Sequence, residues 1–271
     1  MPEGPEIRRA ADRIEQVLAG RRVLRVRFGL EPLKRHEPAF RNVRLLRVDT
    51  RGKAMLSRFD NGLSIYSHNQ LYGRWMIVPA GTLPETRRQL RLALEGEKHR
   101  ALLYSASEIA VLTPEQEAVH PFLSRLGPDV LGGLDEQELV ARLLSPDFRR
   151  RRLGTLLVDQ GFVAGLGNYL RCEILYAAGL RPELRPADLG PEHLQRLARA
   201  MLELPRRSLR TGGITQDEAD ARALMDAGAG FEEARFFVFR RAGLPCRVCG
   251  NTILLVRDAG QACYLCPGCQ Q

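Results

Sequence analysis

Apolar positions near the start of the chain recur with helical spacing. Ile7, Ala10, Ala11, Ile14, Val17 and Leu18 form one stripe, which predicts a helix over 5–19. Pro5 suits its first turn, Glu6 complements its N-terminus and Gly20 supplies a stop. The period then drops to two. The stretches "RVLRVRF", "VRLLRV", "KAMLSRF", "LSIYSH", "WMIVP", "QLRLALE", "RALLYS" and "IAVL" alternate, with Gly and Asn turns between them, and read as an antiparallel sandwich or barrel. "HPFLSRLGPDVLGG", with Gly127, Pro128, Gly132 and Gly133, predicts a hinge. From Asp135 the period returns to 3.6, in "DEQELVARLLS", "RRLGTLLVDQGF", "NYLRCEILYAAGL" and "PEHLQRLARAMLEL". Residues 210–230 hold few large apolar groups and several Gly, and predict a long mobile loop. The expected class is α+β. A β-sandwich with a flanking helix fills 1–125, a hinge 126–134, a helical domain with its mobile loop 135–240, and a cysteine-rich tail 241–271.

Composition adds a partner class. The chain has 271 residues, 44% of them hydrophobic, enough for one large or two ordinary domains with real cores. Lys and Arg number 41 against 32 Asp and Glu, a net charge of +9. That surplus points to an anionic partner, nucleic acid being the commonest; a basic enzyme with a solvated face fits equally well. No apolar run approaches a membrane span of about 20 residues, and charges crowd the first twenty positions, so neither a membrane partner nor a secretory signal is expected. A cytoplasmic location is the default expectation. Five of the six cysteines lie between Cys246 and Cys269, which in a reducing compartment reads as metal.

The tail is specific. Cys246-x2-Cys249 and Cys266-x2-Cys269, sixteen residues apart, form a four-thiolate zinc pattern at ribbon spacing. Cys263-x2-Cys266 also fits, so Cys263 competes as a ligand; "CPGC" favours Cys266 and Cys269, because Pro and Gly suit a tight metal knuckle. Four thiolates leave no open position, so one Zn2+ here is structural. A ribbon this short takes its folding energy from the metal. Upstream, "DQGFVAGLGNYLRCEIL" sets Gly165-Leu166-Gly167 before a helix starting near Asn168, with Arg171 one turn on. Amides at a helix start bind anions, although an ordinary glycine corner in a helix hairpin reads the same way.

Together "MPEGPE", "RGKAML", "YSHNQLYG", "HPFLSRLGPDVL", "DQGFVAGLGNYLRCEILY" and the four-cysteine tail resemble the formamidopyrimidine-DNA glycosylase/endonuclease VIII family over almost the whole chain. "SHNQLYG" is most like the bacterial endonuclease VIII branch, which acts on oxidised pyrimidines. The resemblance implies a helix–two-turn–helix element in the helical domain and a monomer acting on damaged double-stranded DNA. It implies a bifunctional glycosylase and AP lyase of base excision repair. Removal of Met1 exposes the Pro2 amine, which attacks sugar C1′ and forms a Schiff base. Glu3 serves as general acid and base, Glu6 supports the site, and Lys53 approaches the lesion phosphate and sugar. Gln70, Leu71 and Tyr72, expected on a hairpin tip, fill the gap left by the flipped nucleotide. Arg125, Asn168 and Arg171 match DNA-phosphate positions or lie beside them.

Two departures stand out. The family carries an arginine five residues before the third zinc ligand, and here that position is Gln261. β-Elimination is expected to survive and δ-elimination or DNA affinity to weaken, unless Arg257 substitutes. "TGGIT" at 211–215 looks closer to the formamidopyrimidine branch, so oxidised purines remain an alternative substrate. A non-catalytic damage-binding protein is the alternative from another class.

Overall fold

The computed structural model describes residues 2–258 and 260–271. Met1, on whose removal the expected Pro2 chemistry depends, lies outside them. Contacts divide the chain into two compact units, one of Pro2 with Glu6–Arg125 and one of Glu3–Pro5 with Leu126–Gln271.

Helix α1 (Gly4–Leu18), in the first unit from Glu6 onward, buries Ile7, Ala11, Ile14 and Leu18. All eight alternating stretches form strands: β1 Arg22–Phe28, β2 Val43–Arg51, β3 Ala54–Phe59, β4 Ser64–His68, β5 Arg74–Pro79, β6 Leu90–Gly96, β7 His99–Tyr104 and β8 Glu108–Leu112. Their antiparallel order is β5-β7-β6-β1-β2-β3-β4-β8. Strands β1 and β2 share only the pairs Arg22↔Arg44 and Val23↔Val43, and the sheet folds there into the two layers of a β-sandwich. Inward side chains such as Val26, Leu45, Val48, Met55 and Leu94 close the core with α1. Helix α2 (Pro114–Ala118) follows, held by a capping box between Thr113 and Gln116, then a 3₁₀ turn over Leu123–Arg125.

This order corrects one expectation. Strand β4 lies between β3 and β8, whereas β5 pairs with β7 alone. Residues 69–73 therefore form a crossover between the two layers, not a hairpin tip. The alternating pattern shows two strands flanking a turn but not which neighbours they pair with. Gly73 is required here: its N–H donates to Asn69 O at 2.7 Å, and a Cβ would strike the Asn69 backbone.

The second unit holds α3 (Glu136–Leu144), α4 (Leu153–Leu156), α5 (Asn168–Ala178), α6 (Pro191–Thr211), α7 (Glu218–Asp226), α8 (Phe231–Ala234) and the hairpin of β9 (Leu254–Asp258) and β10 (Gln261–Leu265). Helix α5 is buried from Tyr169 to Tyr176 and ends at left-handed Gly179, with φ 72°. Leu170, Ile174, Leu197 and Met201 lock α5 against α6. Two expectations change. "RRLGTLLVDQGF" yields only the single turn of α4. The chain then wraps around Gln160, whose Nε2 donates to Val158 O and Leu166 O while Oε1 accepts from Gly165 N. Nor are residues 210–230 a loop throughout. Helix α6 runs to Thr211, and α7 starts on Asp217, whose side chain accepts from Ala219 N and Asp220 N. A side-chain cap supports α7 where large apolar residues are few. Among the described residues no helix is long and apolar enough to cross a membrane.

Candidate functional site

In the second unit the anion at the start of α5 is the protein's own. Glu3 is 2% exposed, and its Oε1 accepts from Tyr169 N at 2.9 Å and its Oε2 from Leu170 N at 3.4 Å. The segment is stitched down by Gly4 N, which donates to Gly165 O at 2.8 Å. Two glycines, Gly167 of the bend and Gly4 of the seated segment, permit this approach. A Cβ on Gly167 would run into the Glu3 carboxyl group, and one on Gly4 would sit 3.1 Å from Gly165 Cα. The expected anion-binding corner therefore exists, but the carboxylate of Glu3 occupies its first amides.

Arg171 is the clearest correction. It was expected to grip phosphate, yet it is wholly buried. Its guanidinium donates to Gly154 O at 3.1 Å, Asn168 Oδ1 at 2.5 Å and Ala262 O at 3.2 Å, and faces Asp258 Oδ2 at 3.5 Å. A cation one turn into a helix buried on nearly all faces has no route to solvent. Its work is to tie α5 to the β9–β10 ribbon. Asn168 shares that work, with Nδ2 donating to Ala262 O at 2.9 Å, but stays half-exposed. Arg152, half-exposed, reaches Asp258 from the other side at 3.0 Å.

The sulfurs of Cys246, Cys249, Cys266 and Cys269 all lie within 4.8 Å of one another. Tetrahedral zinc with bonds of about 2.3 Å needs sulfurs about 3.8 Å apart. Cys246 and Cys269 are 3.8 Å apart and Cys249 and Cys266 3.3 Å, so the set fits one structural zinc ion. Asn251 beside Cys249 draws its thiol down to about 6, while burial pushes Cys269 up to about 12. Cys263 is outside the set. It pairs with Val256 in the ribbon and points to Cys172, sulfur to sulfur 3.9 Å.

In the first unit Lys53 sits in the two-residue turn joining β2 and β3, after Gly52 at φ 59°. It is one of three lysines beside 38 arginines, a compact ammonium in a chain that carries most of its positive charge as guanidinium. Opposite it, His68 ends β4, paired with Ala54. Burial, with Lys53 adding to it and Glu108 opposing, holds the His68 imidazole below its usual range. Leu71 and Tyr72 are 58% and 70% exposed, as expected of side chains that need a partner. Gln70 is exposed too, but its amide is engaged by Ser107 and Glu108. Arg125 is exposed, and Pro2 and Glu6 are half-buried.

Residues 1–106 match the formamidopyrimidine-DNA glycosylase N-terminal domain, 126–220 the formamidopyrimidine-DNA glycosylase H2TH domain, and 243–271 the zinc finger found in FPG and IleRS. The chain is 46% identical to Endonuclease 8 of Enterobacter sp. (strain 638) and of Escherichia coli O17:K52:H18, covering 100% of this chain and of each relative. The chain belongs to the formamidopyrimidine-DNA glycosylase/endonuclease VIII family. As a member of this family it is a bifunctional DNA glycosylase and AP lyase of base excision repair. The fold agrees. A Lactococcus lactis Fpg in complex with an oxidised-pyrimidine-containing DNA superposes with TM-score 0.79 at 19% identity over 100% of both chains. The same glycosylase bound to AP-site DNA gives 0.80 at 18% identity over 99% of each.

Sequence reasoning missed Glu108, Asp258 and Glu173. Glu173 is wholly buried and accepts from Thr215 Oγ1, Phe237 N, Val238 N and Phe239 N. Arg171 and Glu173 carried a usable signal, being charges inside a helix with apolar residues on every face. Glu108 and Asp258 carried none, since each opens or closes a short strand like many surface acids.

Proposed function

We propose that this glycosylase excises oxidised pyrimidines from duplex DNA through the amine of Pro2 and then nicks the abasic strand by β-elimination. One observation carries the reading: Glu3, directly after Pro2, is buried with its carboxylate held on the first amides of α5. A carboxylate fixed by two backbone donors and two glycines is preorganised for proton transfer. The Pro2 nitrogen lone pair forms the bond to C1′ as the bond from C1′ to the base breaks, its electron pair leaving with the base, which takes a proton from water. The Pro2 N–H proton passes to the Glu3 carboxylate, which delivers it to the ring oxygen as the sugar opens to the iminium. Glu3, a carboxylate again, takes a C2′ proton as the C3′–O bond breaks and the 3′ phosphate leaves, and water hydrolyses the iminium to release Pro2. Lys53 stabilises phosphate charge near the sugar, Glu6 supports the site through its own negative charge, and Leu71 and Tyr72 take the place of the extruded nucleotide in the stack. Arg125 and the exposed part of Asn168 contact backbone phosphates.

Gln261 brings no charge to the ribbon tip. It is exposed and pairs with Asp258, whereas Arg257 pairs with Ala262 and so leaves from the opposite face. That supports weak δ-elimination with no substitution by Arg257. The deciding experiment incubates Met1-free protein, verified by mass, with abasic duplex and borohydride. A covalent adduct at Pro2 is expected, and its absence overturns the mechanism. The 3′ ends on nicked product should be mainly the unsaturated aldehyde; mainly 3′ phosphate would refute the Gln261 reading.

The likeness to Endonuclease 8 relatives supports the pyrimidine preference. The oxidised-purine reading keeps one support, the folded excursion of α7 and α8, which is closed at its base by Thr215 N donating to Arg235 O at 3.0 Å. Excision rates on thymine glycol and 8-oxoguanine duplexes separate the two.

A further inference from the structure

We propose that Glu108 is the positioning residue of the DNA wedge: its carboxylate holds Gln70 and thereby fixes Leu71 and Tyr72 facing outward. The inference rests on the wedge reading of residues 70–72 and deepens it. Gln70 is in the left-handed region, φ 49°, which a residue with a Cβ adopts only when its surroundings impose it. Three groups impose it. Glu108 Oε2 accepts from Gln70 Nε2 at 3.2 Å, Ser107 Oγ donates to Gln70 Oε1 at 2.6 Å, and His68 Nδ1 accepts from Gln70 N at 3.2 Å. Both ends of the Gln70 amide are thereby fixed.

Glu108 is itself anchored. It starts β8 opposite His68, and its Oε1 accepts from the hydroxyl of buried Tyr66 at 2.8 Å. One carboxylate thus links a core tyrosine to the root of the exposed crossover. At the far end Gly73 closes on Asn69, which is 6% exposed. Leu71 and Tyr72 therefore project from a short segment pinned on both sides. This matters because two large apolar side chains in water tend to collapse onto the nearest surface. A wedge that must part stacked bases has to arrive already extended, with its ordering cost met before binding.

The test uses full-length, Met1-free protein. A duplex carrying an oxidised pyrimidine beside 2-aminopurine reads base extrusion and excision. A single-stranded abasic oligonucleotide, which has no stack to part, reads borohydride trapping. Glu108→Ala is expected to slow extrusion and duplex excision about tenfold, the loss of one charge-assisted clamp. Trapping on the single strand stays within about twofold. Glu108→Gln, which still offers an acceptor oxygen, restores most of the rate. Ser107→Ala, which leaves the Tyr66–Glu108 pair intact, gives a smaller loss confined to the duplex. In Leu71→Ala/Tyr72→Ala the wedge is gone, and adding Glu108→Ala costs nothing further.

Wild-type extrusion in Glu108→Ala overturns the proposal while leaving the wedge intact. So does an additive loss on top of the wedge double variant, or loss of single-strand trapping in both Glu108 variants. If Leu71→Ala/Tyr72→Ala extrudes and excises as the wild type does, the wedge reading fails and this proposal with it.

Discussion

At the scale of single residues, the site depends on what is missing from side chains as much as on what they carry. Gly167 has no functional group, yet its bare Cα lets the Glu3 carboxyl group lie against the start of α5. Gly167→Ala should therefore displace Glu3 without disturbing the core. An error of about 1 Å in a reacting group costs about a hundredfold. Single-turnover excision should fall by about that factor while the melting temperature barely moves. "MPEGPE" and "GLGN" were both legible in the sequence, but not that one seats the other, because their contact spans about 165 positions and leaves no periodic trace. His68 supplies the second residue-scale prediction. Burial holds its folded-state value below the unfolded value of about 6.5, so the fold binds the proton less readily than the unfolded chain. The associated stability is complete above about pH 6.5 and is lost as the pH falls through that value toward the lower folded one. Thermal melts from pH 7.5 down to about 5.5 should show a decline that is shallower in His68→Gln. Equal slopes in the two proteins would refute it.

At the scale of elements, the strands and the longer helices follow from period and turns alone, and the departures have physical causes. The crossover at 69–73 was misread because pairing partners are set by the whole sheet. Helix α7 was missed because an Asp217 cap supports it more than an apolar stripe does. Arg171 was misassigned because its position in the helix says nothing of the ribbon that covers it. Removing one partner of a buried ion pair costs about 3 kcal/mol or more. Arg171→Met should destabilise the second unit by about that amount in chemical denaturation. An unchanged midpoint would show that the Gly154, Asn168 and Ala262 contacts carry no stability. The ribbon depends on metal in the same way. It packs Cys246, Ile253, Cys263 and Cys266 against Cys172 and Tyr176 of α5, a cluster too small to persist alone. Chelation should expose those residues to hydrogen exchange and raise the duplex Kd about tenfold or more, and zinc should reverse both changes.

Over the whole molecule the charge is unevenly shared. Residues 1–125 carry 22 Lys and Arg against 14 Asp and Glu, and residues 126–271 carry 19 against 18. The +9 surplus visible in the composition is thus almost entirely a property of the sandwich half, although the helix–two-turn–helix and zinc modules lie in the other. Many cations of the second half are committed internally, Arg152 and Arg171 to Asp258 and Arg151 to Asp159 among them. General attraction to DNA should then come from the first half, with the second contributing through a few placed groups. Arg125, exposed at the last position of the first unit, tests this division. If it meets one phosphate, Arg125→Ala should lower the slope of log K against log salt by about 1, equally for lesion and undamaged duplexes. Arg171→Met should leave that slope unchanged, since its guanidinium never reaches solvent. An unchanged slope in Arg125→Ala would remove Arg125 from the phosphate contacts, and a reduced one in Arg171→Met would mean that the α5–ribbon tie itself shapes the DNA surface.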